Sequence, residues 1–145
     1  MKPPELERYL HEHIPLSRAM QVTPDHVTLS APLAPNINHR DTVFGGSAAA
    51  LAVLAAWSLV HTRLLRAGLP SRLVIQRSTM QFAKPITGTF TARSCLADDP
   101  RWQRFVRTIE QRGKARIPIS CTLSFAGEEV GQFEGEFVAL QGEKP

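Results

Sequence analysis

The pattern of hydrophobic and polar positions along the chain predicts one long apolar helix among shorter alternating runs. Residues 43–60 carry no charge, and Gly45 and Gly46 open the apolar stretch. A helix that is apolar all round is either buried in a protein core or spans a membrane. Alanine dominates here instead of leucine or isoleucine, and the segment is only just long enough to cross a bilayer. We therefore expect a buried core helix over residues 47–66.

Six further runs alternate or are rich in β-branched and aromatic residues, as strands are. They cover residues 19–22, 26–33, 72–83, 89–96, 115–125 and 129–140. Turn signals separate neighbouring runs at residues 23–25, 85–88 and 126–128. Since most of these runs follow one another closely, we expect a largely antiparallel sheet in which sequence neighbours pair, beginning with a hairpin around residues 23–25.

Two shorter helices complete the predicted secondary structure. Pro3 and Pro4 open a helical run that Pro15 ends. Residues 101–112 have the spacing of an amphipathic helix. Its apolar face holds Trp102, Phe105, Val106 and Ile109, and its basic positions outside that face are Arg101, Arg104, Arg107 and Arg112. The elements together predict an α+β fold, a single domain over residues 1–145 in which a curved sheet wraps the apolar helix.

Composition narrows the class of protein. With 145 residues, 43% of them hydrophobic, the chain can bury the core of one domain. Cys95 and Cys121 have no metal-ligand spacing and fall in predicted strands, so we expect two core residues and no metal site. The first 15 residues contain Glu and His where a secretory signal needs an apolar run. This predicts a cytoplasmic protein that does not enter a membrane.

The charge of the chain indicates acidic partners. The formal net charge is +4, and the isoelectric point is about 9.6. Three acidic partners would suit a basic protein: the phosphates of coenzyme A (CoA), acyl carrier protein, and nucleic acid. Nucleic acid is disfavoured, because the arginines are not interleaved with exposed aromatic residues and no nucleic-acid motif is present.

Three stretches of the sequence carry a family resemblance. They are APLAPNINHRDTVFGGS leading into the apolar helix, FAKPITGTFTARS, and RGKARIPISCTLSFAGEEVGQFEGEFVAL. Over residues 14–140 the chain resembles the hotdog superfamily, and within it the thioesterases similar to the YiiD C-terminal domain, a group that includes malonyl-acyl carrier protein decarboxylases. The resemblance implies no cofactor and a homodimer joined sheet edge to sheet edge, and leaves open whether dimers pair into tetramers. It also implies a site for acyl-CoA or acyl carrier protein at the subunit interface.

The start of the apolar helix is the predicted site for the thioester. Backbone N–H groups at a helix start have no internal partner and carry partial positive charge. Those of Gly45, Gly46 and Ser47 could therefore bind a thioester oxygen as it becomes an oxyanion or enolate. Glycine lets a substrate approach closely, and apolar Phe44 stands beside it. The alternative is that the glycines serve only tight packing, and we expect the Ser47 side chain to cap the helix.

The loop before the helix departs from the pattern of many hotdog thioesterases. Asn38 matches their loop asparagine, but Phe44 stands where they have histidine, and the predicted helix contains no Asp or Glu. The usual base that activates water is therefore missing. Asp41, with His39, is a substitute base, unless Asp41 only caps the loop or pairs with Arg40.

Decarboxylation of a malonyl thioester needs no base, because loss of carbon dioxide generates the carbanion directly. By resemblance to the family's decarboxylases, the active-site asparagine is Asn38 first and Asn36 second, although either residue could instead shape the loop. The sequence favours conversion of malonyl- to acetyl-acyl carrier protein in fatty acid biosynthesis over acyl thioester hydrolysis, and both over a noncatalytic acyl-carrier binding module. Arg101, Arg104 and Arg107 are the predicted carrier-binding residues, with a merely solvated basic face as the alternative.

Overall fold

A six-stranded antiparallel sheet curls around one long helix in the computed structural model, which describes residues 1–25, 28–96 and 99–142. The helices are α1 (Pro3–His13), α2 (Pro15–Ala19), α3 (Gly45–Arg66) and α4 (Asp99–Arg112), with a short 3-10 helix over Ala34–Asn36. The strands are β1 (Thr23–Asp25), β2 (Thr28–Ala31), β3 (Ser71–Phe82), β4 (Phe90–Cys95), β5 (Lys114–Phe125) and β6 (Glu128–Gln141). This is the α+β architecture that the sequence predicts.

The strand order β1-β2-β4-β5-β6-β3 places β3 at one edge of the sheet. β3 pairs with β6 along its whole length, so that Phe82 lies opposite Gly131. The expected pairing of sequence neighbours holds for β4–β5 and β5–β6 but is wrong for β3 and β4. The hairpin expected between residues 19–22 and 26–33 is also wrong, because the strand that pairs with β2 is β1, which occupies the predicted turn. The connection after β3 is tied instead to the loop before α3, where the N–H of Val43 donates to the carbonyl of Ile86 at 2.9 Å. After β3 the chain therefore crosses to the other side of β5 and β6, where β4 begins.

The predicted bounds of the last four strands agree with the observed ones to within one residue. The long helix ends at residue 66 as predicted and begins two residues earlier, at Gly45. The predicted strand over residues 26–33 is β2, and residues 26 and 27 lie outside the described residues, as does residue 98 at the expected start of α4.

The segment between α1 and β2 differs from the prediction. Residues 19–22 do not form a strand, and the expected turn over residues 23–25 is instead β1. Pro15 ends α1 but also opens α2, because proline fits the first turn of a helix. The chain then turns with Gln21 in the left-handed region, at a φ of 58°.

α3 is the centre of the hydrophobic core. Its buried positions include Leu51, Ala52, Leu54, Ala55, Ala56, Val60 and Leu64. The helix is long and apolar enough to cross a membrane, but half of its 22 residues are buried inside the protein, among them the leucines at positions 51, 54, 59 and 64. The sheet therefore accounts for its apolar character, and the expected core helix is confirmed. The small alanine side chains let the strands approach the helix closely.

The two cysteines lie in different environments. Cys121 is buried, and burial raises its pKa to about 12. Cys95 is exposed, because side chains alternate along β4 and Phe90, Ala92 and Ser94 take the buried positions. The prediction of a core position is thus confirmed for Cys121 and wrong for Cys95.

Four aromatic rings join α1 to the later half of α3. The ring of His61 is stacked on Trp57 with centroids 4.4 Å apart, and Tyr9 lies 4.7 Å from His61 and 4.3 Å from His13. His61 is 3% exposed, and its Nε2 has no hydrogen-bond partner among the described residues. Burial, followed by the positive charges of the amino terminus and His13, lowers the pKa of His61 to about 4. His61 is therefore a neutral core residue.

α4 packs the apolar face that its spacing predicts. Phe105 and Ile109 are buried, and Trp102 and Val106 are partly buried. The guanidinium of Arg63, near the end of α3, lies 5.6 Å from the centre of the Trp102 ring. The opposite face of α4 carries arginines, as expected.

Candidate active site

The loop before α3 is held in place by backbone hydrogen bonds. The N–H of Phe44 donates to the carbonyl of Asn36 at 2.7 Å, and Ile37 forms an isolated antiparallel bridge with Val43. These bonds close residues 36–44 into a compact loop and set the point at which α3 begins. The expected structured loop leading into the helix is confirmed.

The first turn of α3 presents free backbone donors. The N–H groups of Ser47 and Ala48 donate to the carbonyl of Phe44 at 2.9 and 3.1 Å. The two preceding N–H groups, on Gly45 and Gly46, are those that a helix start leaves without an internal acceptor. No side chain from the described parts of the chain caps this helix end, so the expected capping by Ser47 is wrong. Gly45 and Gly46 can therefore donate to a ligand oxygen, whereas the N–H of Ser47 is already used.

Two exposed phenylalanine rings flank the glycines. Phe44 and Phe82 are 57% and 60% exposed. A methyl group at position 46 would lie 2.5 Å from Phe44 Cε2, whereas one at position 45 would lie 3.5 Å from Phe82 Cζ. A side chain at position 46 would therefore have to displace the exposed Phe44 ring, so glycine at this position lets the ring pack against the helix start, in agreement with the packing interpretation. Because glycine has no side chain, a ligand can also approach these N–H groups, so the packing role and the oxygen-binding role of the glycines are compatible.

An apolar pocket of about 290 Å³ lies beside this helix end. Its lining comes from the loop, α3, β3, the connection that follows β3, and the ends of β5 and β6: Val43, Ala48, Met80, Phe82, Ala83, Lys84, Pro85, Ile86, Leu123 and Val130. All of these residues are apolar except Lys84, and no acidic residue of the described chain lines the pocket. A cavity of this kind suits an acyl chain better than a polar ligand.

Gly131 on β6 makes room for one wall of this pocket. A methyl group at position 131 would lie 2.9 Å from Met80 Cε and 3.0 Å from the carbonyl oxygen of Gln81. The Met80 side chain can therefore occupy its place in the pocket lining only because residue 131 has no side chain.

Asn38 shapes the loop with both ends of its side-chain amide. Its Oδ1 accepts the N–H groups of Arg40 at 2.8 Å and Thr42 at 3.2 Å. Its Nδ2 donates to the Thr42 hydroxyl at 2.9 Å. The loop-shaping role that the sequence offers for Asn38 is therefore present, and Asn38 does not line the apolar pocket. Its contact with substrate stays a prediction.

Asn36 is buried at the base of the same loop. Its Nδ2 donates to the carbonyls of Met20 at 3.1 Å and Pro32 at 2.8 Å, which fixes the orientation of the amide. Its Oδ1 is buried without a partner among the described residues. Because buried polar atoms are rarely left unpaired, Asn36 remains a candidate for contact with a ligand or water.

Asp41 and His39 are exposed at the tip of the loop. Asp41 has a φ of 62°, a left-handed conformation that Asp tolerates. No ion pair joins it to Arg40 within the described structure, and neither Asp41 nor His39 lines the apolar pocket. The role of Asp41 or His39 as a substitute base stays a prediction. Residues 1–25, 28–96 and 99–142 contain no cluster of three or more His, Cys, Asp or Glu side chains that could hold a metal.

The predicted basic residues line a second cavity, of about 670 Å³, between α4 and β5. Its cations are Arg101, Arg104, Arg112, Lys114 and Arg116, and we call this cavity the basic groove. Arg107 does not line it. Of the three predicted carrier-binding residues, two therefore face the groove, and β5 adds two cations that helical spacing could not identify.

The basic groove lies far from the apolar pocket. Arg116 lies opposite Val138 on β6, eight residues from Val130 of the apolar pocket, or roughly 25 Å at the rise of a strand. Arg116 is exposed while its neighbours Ala115 and Ile117 are buried, so its side chain points away from α3. The two cavities are at opposite ends of β6.

Sequence reasoning missed the residues of the apolar pocket. Met80, Leu123 and Val130 were recognisable as strand residues, but their meeting depends on the register of β3, β5 and β6. Gly131 was the one available signal, because glycine inside a strand often marks a close approach of neighbouring groups.

Family membership follows from the whole length of the chain. The family model described as "Putative thioesterase (yiiD_Cterm)" matches residues 4–141. The chain belongs to this family. The matched range contains the loop, α3 and all six described strands, so the resemblance identified in the sequence is confirmed.

Solved structures of similar proteins share the fold of this family member. A protein of unknown function from Chlorobaculum tepidum has a TM-score of 0.89 and 27% identity, with 97% of this chain and 94% of that chain covered. A "putative thioesterase" from Shewanella oneidensis has a TM-score of 0.85 and 27% identity, with 95% and 96% covered. A Bacillus halodurans protein solved with CoA has a TM-score of 0.71 and 20% identity, with 92% and 81% covered. The expected hotdog fold is confirmed.

Proposed function

We propose that this family member acts on a small acyl thioester, and specifically that it decarboxylates malonyl-acyl carrier protein to acetyl-acyl carrier protein. The proposal rests on one observation: the start of α3, where no described residue accepts the N–H groups of Gly45 and Gly46, adjoins an apolar pocket. Val43 and Ala48 on either side of the glycines line this pocket, and no described acidic residue does. Such donors suit an oxyanion or enolate. A pocket without a base suits a reaction that needs none.

In the proposed reaction the malonyl carboxylate leaves as carbon dioxide. The bond between the carboxylate carbon and the methylene carbon breaks, and its electron pair forms the enolate of the thioester. The N–H groups of Gly45 and Gly46 donate to the enolate oxygen, and the low dielectric constant of an apolar pocket strengthens these hydrogen bonds. A proton from solvent then gives the acetyl thioester, so each turnover consumes one proton.

Hydrolysis of an acyl thioester is the second candidate. The description of the family and that of the Shewanella protein favour it. Water would add to the thioester carbon, and the carbon–sulfur bond would break to give an acid and a thiol. Because Asp41 and His39 lie outside the pocket, this reaction requires the loop to move inward or a base to come from a partner subunit.

The proposed working form is a homodimer joined along β3. Ile75, Ser78 and Phe82 lie opposite inward-facing residues of β6, yet all three are exposed in the single chain. A long edge strand with exposed apolar side chains is a site for pairing with another strand. Antiparallel pairing of two β3 strands would bring the partner close to the pocket at Phe82, which fits a site completed by the second subunit.

The proposed carrier is acyl carrier protein, with CoA as the alternative. The cations of the basic groove suit an acidic protein surface. The Bacillus relative, which was solved with CoA, supports the alternative.

The first test is to incubate the protein with malonyl-acyl carrier protein and measure the intact mass of the carrier, with parallel reactions on malonyl-CoA and short acyl-CoA. Loss of carbon dioxide to give the acetyl carrier would support decarboxylation. Release of holo-carrier or free thiol would identify a thioesterase. Reaction with acetyl-acyl carrier protein is the control for hydrolysis of the product, and binding without any turnover would favour the noncatalytic acyl-carrier binding module.

A further inference from the structure

Lys84 is the one ionisable residue in the lining of the apolar pocket, as far as the structure describes the chain. Its backbone lies in the connection that follows β3 and is fixed to β6. The N–H groups of Ala83 and Lys84 both donate to the carbonyl of Val130, at 2.9 and 3.2 Å. The main chain at the pocket rim is therefore held, and only the long side chain of Lys84 is free to move.

The ammonium group of Lys84 has an exchangeable partner. Its Nζ lies 3.0 Å from Oε2 of Glu128, and the two side chains are 55% and 63% exposed. An ion pair with this exposure contributes little and competes with water. Glu128 does not line the pocket, whereas Lys84 does. A carboxylate that enters the pocket can therefore replace Glu128 without leaving a buried charge unpaired.

We infer that Lys84 selects acyl groups that end in a carboxylate. The inference rests on the proposed function, because it places the thioester oxygen at the N–H groups of Gly45 and Gly46. The far end of a short acyl group then lies in the pocket, and Lys84 is the one ionisable residue of the described lining. Its exposed ammonium group, which contacts Glu128 outside the pocket, would turn toward a carboxylate there. A methyl end gains nothing from that charge, whereas a carboxylate gains a charge-assisted hydrogen bond. The substrate class is the short dicarboxylic acyl thioester.

The attraction between Lys84 and the substrate carboxylate affects substrate binding more than the chemical step. During decarboxylation the negative charge leaves the carboxylate, which departs as neutral carbon dioxide, so the attraction to Lys84 is weaker in the transition state than in the bound substrate. Only interactions that strengthen in the transition state raise kcat. Replacing Lys84 should therefore raise KM for malonyl-acyl carrier protein and leave kcat unchanged or higher.

Calorimetric titration of amide analogues tests the selection directly, because nitrogen in place of sulfur prevents turnover. The ligands are the malonyl, acetyl and butyryl amides of the pantetheine arm. The variants are Lys84→Met, which removes the cation, and Glu128→Gln, which removes the competing carboxylate. Lys2→Met is the matched control, since it removes one exposed lysine charge at a residue that lines neither the apolar pocket nor the basic groove.

The native protein should bind the malonyl analogue most tightly. Lys84→Met should weaken binding of that analogue about tenfold and leave the butyryl analogue unchanged. Glu128→Gln should strengthen malonyl binding, and Lys2→Met should have no effect. Equal loss for all three ligands, or no loss, would overturn the inference while leaving the proposed function intact. Selective malonyl binding without turnover of any thioester would instead overturn the proposed function and retain the role of Lys84.

Discussion

At the scale of single residues, the two loop asparagines differ in what their side chains already do. Asn38 uses both ends of its amide to hold residues 40 and 42. Asn36 uses only its nitrogen, on two backbone carbonyls, and keeps a buried oxygen unpaired. By its match to the family, Asn38 is the first candidate for the active-site asparagine. The hydrogen bonds of its side chain show which variants would distinguish a role in shaping the loop from contact with substrate.

Asn38→Ala should lower kcat/KM on the order of 100-fold, because the loop that positions the helix donors loses its internal hydrogen bonds. Asn38→Asp retains an oxygen that can accept the N–H groups of Arg40 and Thr42. It should therefore unfold near the native temperature, and its activity then reports on the lost Nδ2 donor together with the added negative charge. Near-native activity of Asn38→Ala, measured on the substrate found by mass analysis, would refute the assignment of Asn38 to the site.

His61 should make the protein less stable in mild acid. Its pKa is about 4 in the folded chain and about 6.5 when unfolded, so between these values the unfolded chain binds more protons. The free energy of unfolding should therefore fall as the pH drops from about 6.5 to about 4, by roughly 3 kcal/mol in total. Urea unfolding at several pH values measures this loss.

His61→Phe should flatten that pH dependence, because it keeps a ring against Trp57 and Tyr9 but cannot bind a proton. His39→Leu is the matched control, since His39 is exposed and its replacement should leave the slope intact. An unchanged slope in His61→Phe would assign the acid sensitivity to other groups.

At the scale of secondary-structure elements, the first turn of α3 both packs against the Phe44 ring and carries the proposed backbone N–H donors. Gly46→Ala should reduce kcat/KM by on the order of tenfold to 100-fold, because its methyl group would displace the Phe44 ring beside the N–H donors. Gly45→Ala is the comparison, since its methyl group would make only an ordinary contact with Phe82. A second substitution, Phe44→Ala, should restore part of the activity of Gly46→Ala. Equal activity of the two single variants would show that the ring position does not matter.

The basic groove between α4 and β5 supplies a second comparison of neighbouring residues. Arg104 lines the groove and Arg107 does not, although both lie on α4. Arg104→Glu should raise KM for an acyl carrier protein substrate more than Arg107→Glu does, and neither should change KM for a short acyl-pantetheine. Steady-state kinetics at two salt concentrations measures both effects. Equal changes in KM for the two substrates would show that the groove does not bind the carrier.

At the scale of the whole molecule, the exposed edge of the sheet indicates how two copies would meet. Ile75→Lys should prevent pairing of two β3 strands, because a charged side chain on an edge strand opposes association. We expect a folded monomer by light scattering and circular dichroism, without enzymatic activity. Thr23→Lys, on the opposite edge strand β1, should leave the assembly unchanged. An active Ile75→Lys monomer would contradict a site completed by the partner.

The sequence predicted those features that depend on neighbouring residues. The apolar run gave α3, alternation gave β3 to β6, and helical spacing gave the buried face of α4. Features that depend on register between distant strands could not be read from it. Two such features are the pairing of β3 with β6 and the pocket at Met80 and Leu123. Arg116 of β5, which joins the basic groove, is a third.

Gly131 and Met80 have a consequence for how this family diversifies. A side chain at position 131 would collide with Met80, so the two positions share a fixed volume, and a larger residue at one requires a smaller one at the other. Homologous sequences should therefore show compensating sizes at these two sites. Since Met80 lines the apolar pocket, the residue pair at 80 and 131 would serve as a marker for sorting relatives by the size of that pocket.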